Sequence, residues 1–167
     1  MQSVLIENIV NFTTKLFKGQ IFDDFLFLEG NVMSNCSYTL NGRLNKSFYS
    51  AEELSSISEP FLASWHDIKP IFSSMVNTVF SDTHNIKYHL TLCLSPEQTN
   101  KLLMNSQSLI TVNDIESLNI NIRYENDKII CTTGTSLKIF TLDKSLEQYF
   151  DRYTINFLDR VFGNTLL

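Results

Sequence analysis

The tetrapeptide Ser95-Pro96-Glu97-Gln98 marks the start of a helix more clearly than any other segment of the chain. A serine at the N-cap, a proline at the first helical position and a glutamine three residues after the cap suit the free amide groups of a first helical turn. The segment 86–94 before it is rich in residues that favour strands. We therefore expect a strand that leads into a helix ending near Asn105.

The chain beyond this helix alternates apolar and polar residues, which is typical of an antiparallel sheet. Gly134 is interpreted as a bulge or corner between the second and third of the predicted strands. Asp143 is the predicted cap of a long helix that ends at Gly163. The predicted elements before that helix are a strand at 118–124, a turn at 125–127, a second strand at 128–133 and a third strand at 137–142.

The first half of the chain repeats this order of elements. The pattern predicts a strand at 3–6, a helix at 7–18 and a hairpin with strands at 25–33 and 38–44. Residues 70–80 are ambiguous between helix and strand. We favour a strand because Pro70 would interrupt a helix that begins at Ser64.

Residues 50–69 have a different character from the rest of the first half. They carry four carboxylates against one lysine, more than half of the negative excess of the chain. Ser50 and Glu53 form the capping-box pattern of a short helix. The segment is therefore predicted to be an acidic surface insertion.

These elements predict an α+β fold in which two β-α-β-β-β units with antiparallel sheets are followed by an extra C-terminal helix. The whole chain, residues 1–167, is expected to form a single domain. Its parts would be a first unit at 1–80 with the insertion at 50–69, a second unit at 85–142 and the C-terminal helix at 143–163.

The charge and the cysteines limit the classes of function. A net charge of -5 over 167 residues excludes a protein that coats nucleic acid or anionic lipid with its whole surface, although a local basic face stays open. The three cysteines lack paired spacing, which indicates buried reduced thiols and a cytoplasmic location. The sequence has no apolar stretch approaching the ~20 residues that span a bilayer, so no membrane partner is expected.

The order of elements resembles one domain of the DNA sliding clamps, the ring-shaped polymerase processivity factors. The likeness is greatest in TLCLSPEQTNKLLM and in LNINIRYENDKIICTTGTSLKIFTL, which contains the GTSL corner at 134–137. The chain also resembles a family of uncharacterised proteins from Gram-positive anaerobes, through GRLNKSFY at 42–49 and TTGTSLKIFTLDKSLE at 132–147. The second resemblance covers nearly the full length and implies no known activity.

The clamp resemblance implies helices that face DNA and contact its backbone without reading sequence. The side chains assigned to this face by the resemblance are Asn8, Asn11, Lys15, Lys18, Asn100 and Lys101. Glu7 and Glu97 oppose them, so the alternative of an ordinary solvated helix face stays open.

The main apolar stripe of the predicted C-terminal helix consists of Leu146, Tyr149, Phe150, Tyr153, Phe157 and Val161. A second apolar patch beside this stripe is formed by Ile155, Leu158 and Phe162. Two alternatives follow from this patch. Either the domain itself buries the helix on two sides, or the patch contacts a protein partner or another copy of the chain.

No catalytic set, metal-ligand spacing or cofactor-binding motif is found, so we expect neither an enzyme nor a cofactor. The sequence predicts a non-enzymatic, clamp-like protein that binds the DNA backbone. The alternative is a protein-interaction module that has kept the fold without the DNA, through the acidic insertion or through basic residues of the sheet. Those basic residues are Arg43, Lys87, Arg123, Lys128 and Lys138.

Overall fold

The computed structural model describes residues 1–80, 86–163 and 165–166. The strands of these ranges are β1 (Ser3–Ile6), β2 (Leu26–Met33), β3 (Ser37–Asn41), β4 (Lys87–Cys93), β5 (Ile115–Glu125), β6 (Lys128–Leu137) and β7 (Thr165–Leu166). The α-helices are α1 (Ile9–Phe17), α2 (Ala51–Ser56), α3 (Trp65–Phe80), α4 (Pro96–Ser106) and α5 (Ser145–Phe162). Short 3₁₀ turns lie at Lys46–Phe48 and Val112–Asp114.

The strands form one antiparallel sheet in the order β3-β2-β4-β5-β6-β1-β7. Alternation along β5 separates the two faces of this sheet. Leu118 and Ile120 are buried in the core, whereas Asn119, Asn121 and Arg123 belong to the opposite, polar face. Helices α1, α3, α4 and α5 all contribute side chains to the same core. The predicted α+β class with an antiparallel sheet and a C-terminal helix is confirmed.

The predicted starts of two helices are confirmed, because the side-chain caps that the sequence indicated are present. The Ser95 hydroxyl accepts a hydrogen bond from the Gln98 amide at 3.3 Å, and the Gln98 side chain accepts one from the Ser95 amide at 2.9 Å. Ser50 and Glu53 form the same reciprocal pair at the start of α2. In each case a polar side chain completes the first turn, and this requirement does not depend on the rest of the fold.

The strand predicted at 70–80 is wrong, because these residues belong to helix α3. Pro70 lies inside the helix, where a proline costs about 3 kcal/mol. Trp65, Phe72 and Val76 lie on one side of α3 and are buried. Burial of an aliphatic or phenylalanine side chain stabilises by roughly 1.5–3 kcal/mol, so the three together outweigh the proline.

The insertion predicted at 50–69 ends earlier than expected. Residues 65–69 are the first turns of α3, and Trp65 donates a hydrogen bond from its indole nitrogen to the Leu16 carbonyl oxygen at 3.1 Å. The Lys69 ammonium donates to the Gly19 carbonyl oxygen at 2.7 Å and pairs with Asp23. This part of the segment therefore joins α1 to the core instead of lying on the surface.

The second half departs from prediction at one end of its sheet. Strand β6 runs without a break to Leu137, and Gly134 pairs in register with Asn119. The predicted bulge at Gly134 is therefore wrong. The third strand predicted at 137–142 is also wrong, since residues 138–142 form an irregular connection to α5.

The two halves share an order of elements but not a pattern of strand pairing. With α3 as a helix, the order is β-α-β-β-α in both halves, apart from the segment that holds α2. Strand β4 pairs with β2 and β5, whereas its counterpart β1 pairs with β6 and β7. The clamp-like duplication is therefore not confirmed.

Candidate functional site

Among the described residues, helix α5 has one side buried in the core and a groove on its other side. Its buried side consists of Leu146, Phe150, Asp151, Thr154, Leu158 and Phe162. These positions recur every three or four residues, as expected for a helix with one apolar side. The other side carries a groove of ≈ 460 Å³. Its lining residues are Tyr149, Arg152, Tyr153, Asn156, Phe157 and Arg160.

The groove is lined by aromatic and polar side chains, and one of the aromatic rings is held against the core. Phe157 packs edge-on against Phe22, with ring centres 5.7 Å apart, and is therefore fixed to the core. The Arg152 guanidinium lies 6.0 Å from the centre of the Tyr149 ring, close enough for a cation–π interaction. Tyr153 remains exposed between these side chains. The sequence thus places planar rings and cations along one surface of a single helix.

Many lysines and arginines of the described residues form ion pairs with carboxylates, and the two arginines of the groove do not. Lys69, Lys101 and Lys144 each form an ion pair with a carboxylate, and Lys87 and Arg123 both pair with Glu125. Among the residues that the structure describes, neither Arg152 nor Arg160 has a carboxylate within ion-pair distance. Their charge is therefore available to a ligand.

The α1 residues assigned to DNA are used in different ways. The Asn8 side chain caps α1 by accepting a hydrogen bond from the Asn11 amide at 3.0 Å. The Lys15 ammonium donates to the Val161 carbonyl oxygen at 3.1 Å. Lys18 is exposed. The structure therefore gives Asn8 and Lys15 roles at helix ends and leaves Lys18 accessible.

The α4 residues assigned to DNA are exposed, but their charge is compensated. The Lys101 ammonium lies 2.6 Å from a Glu97 carboxylate oxygen one helical turn away. This contact lowers the pKa of Glu97 and raises the pKa of Lys101. Asn100 is exposed beside them. Within the described ranges, no hydrogen bond or ion pair joins these residues to the α1 set.

The apolar patch predicted on the C-terminal helix lies against the core. Leu158 is fully buried. Phe162 is also buried, and the centre of its ring lies 4.7 Å from the centre of the Phe12 ring. Ile155 is half-buried and packs against the same core. Of the two alternatives for this patch, burial by the domain itself is the one that the structure shows for Leu158 and Phe162.

The basic residues that the sequence assigned to the sheet either lie outside its strands or are partly neutralised. Arg43 lies after the end of β3 and Lys138 lies after the end of β6, so their predicted places in strands are wrong. His89 lies opposite Asn31 on β2 and opposite Arg123 on β5. Lys87 and Arg123 both contact Glu125, and these contacts lower the pKa of that carboxyl. This face is therefore less cationic than the count of lysines and arginines in its strands predicts.

The cysteines divide into two kinds. Cys93 and Cys131 are buried as predicted, and burial raises the pKa of the Cys93 thiol to about 12 and raises that of Cys131 as well. Cys36 is exposed, so the prediction of a buried thiol is wrong at this position. It precedes the edge strand β3, whose outer side has no neighbouring strand among the described residues to cover it.

The described residues contain no group of three or more histidine, cysteine, aspartate or glutamate side chains placed to hold a metal ion. None of the described helices has the length and hydrophobicity needed to cross a membrane.

Sequence reasoning missed Arg152 and Arg160 as candidate site residues. It placed Tyr149, Tyr153 and Phe157 with Leu146 in one apolar stripe, because they recur at the spacing of one side of a helix. Arg152 follows Tyr149 by three residues, and Arg160 follows Tyr153 by seven. These offsets place each arginine on the same side of the helix as its tyrosine, and this spacing is the signal that was missed.

Comparison with known proteins identifies the family of this chain. No curated protein and no solved structure matches the chain. A model of a family described as a family of unknown function, DUF5721, matches residues 15–161, which include the last turn of α1, all of α3 and α4, and the groove of α5. The family agrees with the resemblance to uncharacterised proteins that the sequence indicated. The chain belongs to the DUF5721 family of unknown function.

Proposed function

We propose that this chain is a non-enzymatic protein that binds the phosphate backbone of DNA along the groove of α5, without reading sequence. The observation that carries the proposal is the composition of the groove. Arginine, asparagine and tyrosine are side chains that contact phosphate oxygens in protein–DNA complexes, and no carboxylate lines the groove. A role connected with DNA replication, which the resemblance to polymerase processivity factors implies, belongs to this proposal, as does the cytoplasmic location expected from the sequence.

The positions of the two arginines support a contact with a polymer. Arg152 and Arg160 are eight residues apart on α5, which corresponds to about 12 Å along the helix axis. One strand of DNA carries a phosphate every ~3.4 Å along the axis, so two separated phosphates match this spacing better than one small anion. Tyr149, Tyr153 and Asn156 lie between the arginines or beside them and supply hydrogen-bond donors.

The proposal predicts weak binding. The chain has a net charge of -5, which repels DNA at long range. Two arginine contacts release few counterions, so binding should be detectable only at low salt. This differs from the version inferred from the clamp resemblance, in which the lysines of α1 and α4 carry the contact.

The test compares three double variants with the same change of charge, each measured by fluorescence anisotropy with labelled duplex and single-stranded DNA at low salt. Arg152→Glu with Arg160→Glu should weaken binding by about tenfold or more. Lys18→Glu with Lys101→Glu changes the helices of the clamp version, and Arg43→Glu with Lys128→Glu changes two of the basic residues that the sequence assigned to the sheet. The proposal is contradicted if wild-type protein does not bind, or if the α5 variant binds as well as the other two.

A protein-interaction module is the second candidate, and the segment around α2 favours it. Phe48 is 84% exposed in the 3₁₀ turn before α2, and Glu52 is exposed in the first turn of α2. An exposed aromatic side chain beside exposed carboxylates suits a basic protein partner. Capture of a partner by wild-type protein, and its loss in Phe48→Ser with Glu52→Lys, would support this candidate over DNA.

A further inference from the structure

Three large apolar side chains project into solvent from two connecting segments that are hydrogen-bonded to each other. Leu109 is 91% exposed, Phe140 is 92% exposed and Leu142 is 84% exposed. Leu109 lies in the connection between α4 and the 3₁₀ turn at Val112–Asp114, and the other two lie in the connection between β6 and α5. Isolated exposed apolar residues are common, but several in neighbouring loops usually mark an interaction site.

Asp143 joins the two connections. One of its carboxylate oxygens accepts hydrogen bonds from the Ser108 hydroxyl at 2.7 Å and from the Leu109 amide at 3.0 Å. The other oxygen accepts from the Ser145 amide at 2.8 Å, at the start of α5. The loops that carry the apolar side chains are therefore held in place before any partner arrives, which reduces the entropy lost on binding.

A shallow cavity of ≈ 220 Å³ lies beside Phe140. Its apolar lining includes Leu137, Ile139 and Leu146. This volume is below the range of about 300–1,000 Å³ that small-molecule sites occupy. It suits one side chain of a protein partner better than a small ligand.

The charges around the patch balance one another. The cations of this region are Lys138, Lys144 and the Met1 ammonium, which pairs with Glu147, and its anions are Asp114, Asp143 and Glu147. Lys144 lies 3.0 Å from Glu147, and the Asp143 carboxylate is occupied by its hydrogen bonds. The patch is therefore neutral on a chain with a net charge of -5. A copy of the same chain meets little charge repulsion here, whereas a strongly charged partner finds no complementary excess.

We propose that Leu109, Phe140 and Leu142 form the centre of a contact between two copies of this chain. In a two-fold contact an apolar side chain of each copy can enter the cavity beside Phe140 of the other, because both copies offer the same surface. A stable interface buries about 800 Å² on each partner, and homodimer interfaces are the more apolar ones. One aromatic and two leucine side chains at such exposure supply the apolar centre that an interface of this size needs.

The experiment is sedimentation velocity of the full chain over a wide range of concentration. Wild-type protein should pass from monomer to dimer as the concentration rises. Phe140→Ser with Leu142→Ser should raise the dimer dissociation constant by about tenfold or more, and Leu109→Ser on the other loop should raise it as well. Val10→Ser is the control, because it removes an exposed apolar side chain on α1 instead of on these loops and should leave the dissociation constant unchanged.

Trp65 emission verifies that each variant keeps its core, since this side chain is fully buried and the replaced residues are exposed. A wild-type chain that stays monomeric at every concentration overturns the proposal. So does a dimer that the loop variants do not weaken, because its contact must then lie on another surface.

Discussion

The Lys15 ammonium donates a hydrogen bond to the carbonyl oxygen of Val161 at 3.1 Å, which joins the last turn of α1 to the last turn of α5. The same ammonium lies 5.2 Å from the centre of the Phe162 ring. A cation at the C-terminal end of a helix satisfies a free carbonyl and interacts favourably with the helix dipole. A lysine that the clamp resemblance assigned to DNA thus holds two helices together.

The first prediction follows from this contact. Lys15→Ala should lower the free energy of unfolding by about 1 kcal/mol, because it removes a charged hydrogen bond at a helix end. Urea unfolding followed by Trp65 emission measures this change. Lys18→Ala on the same helix is the control, and its effect should stay within about 0.5 kcal/mol since its side chain is exposed. Equal effects of the two variants would mean that the Lys15 contact does not stabilise the fold.

Two glycines provide a second, paired prediction. A Cβ atom at Gly42 would lie 1.8 Å from the Phe27 carbonyl oxygen, whereas one at Gly134 would have its nearest neighbour at 3.5 Å. Gly42→Ala should therefore destabilise the protein by several kcal/mol, because backbone atoms must move. Gly134→Ala should be neutral or stabilising by up to about 1 kcal/mol, because alanine loses less entropy within a strand. Thermal unfolding of both variants checks the pair. A strong loss of stability in Gly134→Ala would contradict the regular strand at Gly134 and would favour the bulge that the sequence predicted.

The third prediction concerns acid. Hydrogen bonds from Ser145, Ser108 and Leu109 hold the pKa of the Asp143 carboxyl well below its ordinary range. A lowered pKa in the folded state adds stability above the unfolded pKa of about 3.9, and this stability is lost as the pH falls through the folded pKa. Asp143→Asn should therefore lower the melting temperature at neutral pH, and its difference from wild type should shrink below about pH 4. Asp24→Asn, on an exposed carboxylate outside this network, is the control. A difference that stays constant with pH would contradict the role given to the carboxylate.

The fourth prediction separates the thiols. Cys36 is exposed, whereas Cys93 and Cys131 are buried and have raised pKa values. A disulfide reagent at mildly alkaline pH should modify one of the three thiols of the native chain quickly and the other two only on unfolding, because the thiolate is the reactive form. Cys36→Ser should abolish the fast phase. A fast phase that survives this replacement would place another thiol at the surface.

The parts of the fold that sequence predicted correctly depend on local chemistry. Ser95 and Gln98 satisfy the first turn of α4 whatever packs around that helix. The alternation from Leu118 to Ile122 determines which side of β5 is buried. Such signals are complete within a few residues, so no knowledge of the rest of the chain is needed to read them.

The errors arose where long-range packing decides the structure. Pro70 argues against a helix locally, but Trp65 and Phe72 enter an aromatic cluster with Phe17 and Phe27 that only the folded chain assembles. The order of strands in the sheet is likewise set by contacts between distant segments. A repeated order of elements therefore does not establish a repeated arrangement in space.

Sequence reasoning, through the clamp resemblance, assigned the DNA-facing cations to α1 and α4 and not to the groove of α5. It did not identify Arg152 and Arg160, because the side of α5 that the core covers follows from its packing on β6 and α4. The partners of Lys15 and Lys101 show how neighbouring groups decide which cations remain free.

The most direct test of DNA binding through α5 is the salt dependence of affinity for duplex DNA. Each phosphate contact contributes about -0.9 to the slope of log affinity against log salt. The account predicts a slope of roughly -2 for wild-type protein, and a slope about 0.9 shallower for Arg152→Gln or Arg160→Gln, with no change for Lys128→Gln on the sheet. A slope that neither arginine variant alters would contradict it.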